Sequence, residues 1–305
     1  MGSRFKAIAA CCAALWCSAV AAETLPVSGV YPAGNDAAAA LGSIAVERFG
    51  GDDGQQVGIA AADRLRAVTI DGEPYFRVVP EGTRADAVLQ GTAVAESSRR
   101  DSGTREESVC VERDEDHDCI KKEKHKIPCW DLVVELNTTV RLVRTDGAVL
   151  YALDSEDELP ERFCEGDDRP SRERMIRTLA ERQADRVRSE LAPEQRNEQI
   201  RVMEDRDGLS KDDGRAFRAG VQLTKTDRGA ACDAWLALAE RNPDHPSVLF
   251  NLGLCEESQG QLREAHDYYE RVIAGGEGED YARQGAARVE GRWRANAQLE
   301  SQHRR

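Results

Sequence analysis

Cys110, His117, Cys119, His125 and Cys129 lie within 20 residues of one another, and their side chains are of the types that ligate zinc. The spacing does not suit a zinc site, because neither a C-x2-C nor a C-x2-H pair is present. Export to an oxidising compartment, for which the N-terminus argues below, also removes free thiolates. These cysteines are therefore expected in disulfides, with no metal ligand among them. Gly50-Gly51-Asp52-Asp53-Gly54 lacks the lysine of a phosphate loop, and its two aspartates repel phosphate. No G-x-S-x-G nucleophile turn occurs. With 56 Asp and Glu residues, paired carboxylates are too frequent to single out. No catalytic residue and no cofactor is expected. The basic cluster Lys121, Lys122, Lys124, His125 and Lys126 faces Glu112, Asp114, Glu115, Asp116 and Asp118 in sequence, which reads as charge compensation within one segment.

The N-terminus carries the pattern of a secretory signal over residues 1–22. Arg4 and Lys6 make a basic start, residues 7–20 are apolar and small, and Ala19-Val20-Ala21 fits a cleavage site. Ile8-Ala9-Ala10-Cys11 resembles a bacterial lipobox but leaves too short an apolar run after Lys6. No other stretch has transmembrane length, so no bulk membrane insertion is expected. The chain is expected to be periplasmic or secreted, with outer-membrane association as a variant of that reading. Its net charge of −14 excludes a general nucleic-acid binder, which needs a basic footprint.

Beyond residue 22 six cysteines remain: Cys110, Cys119, Cys129, Cys164, Cys232 and Cys255. An even count in an exported chain favours disulfides. The first four allow three pairings, and the sequence leaves these open. Cys232 and Cys255 fall on neighbouring helices of the C-terminal region. A bridge there closes a loop of about 24 residues, worth roughly 3 kcal/mol in the loop-entropy model. Two separate buried thiols is the competing reading.

The elements that must position these groups form two regions. Residues 23–41 hold Pro26, Gly29, Pro32 and Gly34 and read as a flexible linker. From 42 to 205 the pattern is strand (43–49), helix (55–68), strands (75–79 and 85–94), a charged, disulfide-rich insertion over 96–130 that reads as a long loop, then a strand from Leu132. In that last strand Leu132, Val134, Leu136, Val140 and Leu142 share one face. Asp146-Gly147 marks a hairpin turn. Ser171 caps a helix whose buried stripe is Met175, Ile176, Leu179, Ala180, Ala184, Val187 and Leu191, and residues 200–203 read as a last strand. The order predicts an α+β chain: an N-terminal α/β sandwich with a mixed sheet, followed from 212 to 299 by an all-α helical array.

Two resemblances add to this reading. Asn251-Leu252-Gly253, Gly260, Ala265 and Tyr268-Tyr269 resemble a tetratricopeptide repeat, although Glu256 stands where tyrosine is usual. A preceding unit from Asp212 aligns Ala231 with Ala265 and Trp235 with Tyr269, and residues 281–299 supply a solvating cap. The resemblance implies a groove on the first-helix face, with Phe250, Asn251, Leu254, Glu257 and Ser258 toward a protein partner in the cell envelope. The competing reading packs Phe250 and Leu254 on the α/β domain. Residues 43–49, 76–79 and 85–91 are similar to the opening of the curli secretion lipoprotein family. That similarity implies an α/β envelope domain. A scaffolding protein is thus expected, and the alternative is a homo-oligomeric subunit of an envelope secretion or transport assembly.

Overall fold

The computed structural model describes residues 23–276 and 278–304; the signal-like segment 1–22 and the lipobox-like Cys11 lie outside the described residues. In chain order the elements are β1 (Thr24–Tyr31), α1 (Asp36–Ala39), β2 (Ser43–Val46), α2 (Gly54–Arg66), β3 (Thr69–Ile70), β4 (Glu73–Pro74), β5 (Arg77–Pro80), β6 (Ala87–Arg113), β7 (Cys119–Arg144), β8 (Val149–Cys164), α3 (Arg172–Leu191), β9 (Glu194–Arg201), α4 (Lys211–Leu223), α5 (Arg228–Ala239), α6 (Pro246–Ser258), α7 (Leu262–Gly275) and α8 (Glu279–His303). The fold is α+β. Two compact units divide it. One comprises Ser28–Glu198 with the chain from Gln284 onward. The other comprises Gln199–Arg283 with the described residues up to Val27. Among the described residues no helix is long and apolar enough to cross a membrane.

The first unit is built on a mixed five-stranded sheet of order β5-β2-β6-β7-β8. β2 runs parallel to β5 and β6, whereas β6, β7 and β8 are antiparallel. Alternation puts Leu132, Val134, Leu136, Val140 and Leu142 on the face that packs against α2 and α3, all nearly inaccessible. The expected stripe of α3 is buried with them. Ser171 caps that helix, its Oγ accepting from the Arg174 N–H at 3.3 Å. The Gly50–Gly54 turn has a structural role. Gly51 sits at φ +82°, and Asp53, only 6% exposed, accepts from the Ala95 N–H at 2.8 Å. That bond fixes the entry to α2 against β6.

Three expectations are corrected. Residues 23–41 are not a flexible linker. They form β1 and α1, with Leu25, Val27, Ala38 and Ala39 buried. Among the described residues β1 pairs with β9 alone, and an edge strand of this kind tolerates Pro26. The insertion over 96–130 is not a loop. It continues β6 and β7 as one antiparallel hairpin turning at 114–118. It has almost no apolar periodicity to announce it; its register is inherited from the buried part of the same two strands. Finally, the cap expected over 281–299 falls largely in the α/β unit, which takes α8 from Gln284 onward. Gln298 exchanges hydrogen bonds with the Ala33 backbone at 2.9 and 3.1 Å, and Gln302 Nε2 donates to the Leu41 and Tyr75 carbonyls.

The second unit holds two helical hairpins, α4–α5 and α6–α7. Ala231, Ala265, Trp235 and Tyr269 are all buried at their crossings. A side chain on Gly253 would have its Cβ 2.6 Å from the Tyr269 ring, so the close approach of α6 and α7 requires glycine.

Candidate interaction surfaces

The residues expected to line a partner groove are mostly interior. Phe250, Asn251, Leu254 and Glu257 are each no more than 1% exposed; only Ser258 faces solvent. Phe250 packs on Tyr269 and Tyr281, with ring centroids at 5.6 and 6.1 Å. Glu257 accepts a hydrogen bond from the Tyr269 hydroxyl at 2.7 Å. Asn251 holds the chain just after β9: its Oδ1 accepts from Met203 N–H at 2.8 Å and its Nδ2 donates to Met203 C=O at 2.9 Å. The groove reading is corrected for these four residues. α6 is buried from Ser247 through Cys255, with apolar residues Val248, Leu249, Phe250, Leu252 and Leu254 spread around that stretch rather than confined to one face.

The six cysteines form three bridges, Cys110–Cys119, Cys129–Cys164 and Cys232–Cys255, with Cα atoms 5.8, 3.9 and 5.9 Å apart. The last joins α5 to α6, as the sequence led us to expect. The first two resolve the pairing left open, and they take up the three cysteines among the candidate zinc ligands. Among the described residues no group of three or more His, Cys, Asp or Glu side chains is arranged to hold a metal ion.

The first two bridges define the most exposed feature of the α/β unit. β8 ends at Cys164 opposite Cys129, while β6 and β7 run on alone, pairing from Thr104↔Pro128 to Arg113↔Cys119. At ~3.3 Å per residue this two-stranded arm is about 30 Å long. Residues 103–109, 111–118 and 120–126 are all exposed. Its root is braced. Arg105 makes a bidentate contact with Asp167 at 2.8 and 2.9 Å, and Arg162 donates to the Ser102 carbonyl. The Arg105 hydrogen bond holds the Asp167 carboxyl below its usual range. Trp130 stacks near Phe163 and under the Arg99 guanidinium, 5.1 Å from the ring centre. At the far end, Cys110–Cys119 closes the tip, and Val109, Val111 and Ile120 stand 43–58% exposed around it. The turn itself carries Asp114, Glu115, Asp116 and Asp118.

A second surface lies in the helical unit and was missed from sequence. A cleft of about 610 Å³ is lined by Arg206, Asp207, Lys211, Arg215 and Arg218. Its signal was present in the spacing of Lys211, Arg215 and Arg218 along one helix face, hidden by the acidic average of the chain. Arg215 is paired with Asp212 at 2.5 Å, which reduces the free positive charge.

No protein-family model matches the chain, and no curated protein matches it in sequence. Among solved structures it is similar to the PelC dodecamer from Paraburkholderia phytofirmans. The identity is 16%, over 54% of this chain and 96% of that one, with a TM-score of 0.24. A likeness at that score carries no argument about assembly or activity.

Proposed function

We propose that this chain is an exported, non-enzymatic protein-binding protein of the cell envelope, and that its docking element is the disulfide-stapled arm formed by residues 104–128. The carrying observation is that the arm buries almost nothing within its own chain, yet is closed at the tip and bridged at the root by covalent links. Ordering backbone costs about 1–2 kcal/mol per residue, and no core repays that cost here. A ribbon kept rigid under those terms serves contact with another molecule. The exposed Val109, Val111 and Ile120 supply apolar side chains near the tip. The helical hairpins, read as two tetratricopeptide-like units, then act as a scaffold whose α6 face is already filled by the chain itself.

The test is a photo-crosslinking residue at Val109, at Ile120 and at Ser258, in protein produced in its native envelope. A discrete adduct at the arm positions, suppressed by excess unlabelled protein, supports the reading. Adducts at Ser258 alone overturn it and return the search to the helical unit.

One observation favours the alternative of an oligomeric assembly. β8 is a 16-residue edge of the sheet. It carries Asp154, Glu156, Glu158 and Pro160, residues that discourage pairing with an identical edge. Assembly through β8 would therefore join it to a different edge. Light scattering of the purified chain separates the two readings, since docking through the arm needs no self-association.

A further inference from the structure

The arm has one open backbone edge whose direction follows from the register. Pro128 C=O accepts from Glu165 N–H at 2.9 Å, so the Pro128 backbone points toward the side on which β8 lies. Pairing with β6 is regular from Thr104↔Pro128 to Cys110↔Lys122. Successive residues of a strand turn their N–H and C=O groups to opposite sides. The backbone groups of Lys122, Lys124 and Lys126 therefore point outward, where β8 has stopped, and those of Lys121, Glu123, His125 and Ile127 point to β6. At Gly166, φ +87°, the chain following β8 turns, and among the described residues no strand pairs with this edge of β7 beyond Pro128.

The side chains on the same three residues share one face, with Ser108 and Glu106 opposite Lys124 and Lys126. On that face Glu106 lies 3.3 Å from Lys124. On the other face Lys121 pairs with Glu123 at 2.9 Å. A strand laid along this edge would place alternate side chains directly beside Lys122, Lys124 and Lys126. Carboxylates at those places are favourable cross-strand neighbours. An apolar strand would desolvate three ammonium groups with no partner, and is rejected.

We propose that the arm recruits an acidic, extended protein segment by strand addition along β7 over residues 122–126. Its main chain would pair with the outward N–H and C=O groups, and its alternate carboxylates would lie beside the three lysines. This rests on the reading of the arm as the docking element. It names the chemistry of the partner: an extended chain with Asp or Glu at every second position.

The probe is a peptide of about twelve residues alternating glutamate and threonine, long enough at ~3.3 Å per residue to span the arm. It is titrated into the full chain while amide exchange is followed by NMR. The expected result is ~10-fold or greater slowing of exchange at Lys122, Lys124 and Lys126, with no new protection at Lys121, Glu123 or His125, which β6 already covers. Affinity should fall steeply with salt. The same peptide N-methylated at alternate amides keeps its charge and should lose binding. Lys124→Pro, a substitution that an edge strand tolerates where the N–H faces outward, should weaken binding beyond Lys124→Gln. Equal binding of the N-methylated peptide, without protection at the three lysines, would mean attraction to a polyanion only and overturns strand addition. The docking reading would survive that result. Absence of binding at low salt overturns the acidic partner, and the crosslinks at Val109 and Ile120 then decide separately whether the arm docks at all.

Discussion

Asn251→Ala distinguishes an interior Asn251 from one that waits for a partner. The side chain is 0% exposed and makes two hydrogen bonds to the Met203 backbone. Its removal leaves one N–H and one C=O without partners in a closed space. Each orphaned group costs about 1–3 kcal/mol, so the pair should cost about 3 kcal/mol. With a urea m-value of ~2 kcal/mol/M, the midpoint of the helical unit should fall by ~1.5 M. The assay is urea unfolding followed by Trp235 fluorescence. Trp235 is fully buried in that unit, and the background protein lacks residues 1–22 with Trp16 and carries phenylalanine in place of Trp130 and Trp293, so that the signal is local. Ser258→Ala, on the surface of the same helix, should change stability by less than ~0.5 kcal/mol. A midpoint for Asn251→Ala that stays within ~0.3 M of the parent would refute the argument, because it would mean that the Met203 backbone finds water once the amide is gone.

Three further outcomes are expected. Gly253→Ala should destabilise the helical unit by ~1–3 kcal/mol, because the new methyl meets the Tyr269 ring; differential unfolding against the parent reads it. Replacing Cys232 and Cys255 together by serine should cost ~3 kcal/mol in the same assay, whereas replacing Cys110 and Cys119 should leave global unfolding unchanged and speed amide exchange near the tip. Asp167 has a folded pKa held below its unfolded value by Arg105, so its contribution to closing the arm root is complete above the unfolded carboxylate range and is lost as pH falls through the folded value. Amide protection around Arg105 and Cys164, taken relative to the intrinsic exchange rate at each pH, should therefore fall on acidification, and Asp167→Asn should abolish that dependence. An unchanged acid response in the variant would assign it to another carboxylate.

The sequence by itself determined the elements that announce themselves by periodicity. The face shared by Leu132, Val134, Leu136, Val140 and Leu142, the Ser171-capped helix, the mixed sheet and the helical hairpins all follow from apolar spacing, because burial of one face needs that spacing. The bridge between Cys232 and Cys255 was legible because both cysteines fall on recognisable neighbouring helices. The burial of α6 from Ser247 through Cys255 was also written in Val248-Leu249-Phe250 and Leu252 through Cys255, which leave no polar face over that stretch. The neighbouring Asn251 and Glu257 drew attention as binding residues, because a polar side chain in a sequence does not reveal whether its partner is a ligand or a backbone such as that of Met203. Only the tertiary structure decided the rest. The arm has too little apolar content to show a period. Its strands form because the buried halves of β6 and β7 fix the register, and opposite charges and two disulfides carry that register outward. The pairing of Cys110, Cys119, Cys129 and Cys164, and the open edge at Lys122, Lys124 and Lys126, depend on where β8 ends beside β7. That endpoint depends on contacts between strands far apart in sequence, which local spacing does not encode.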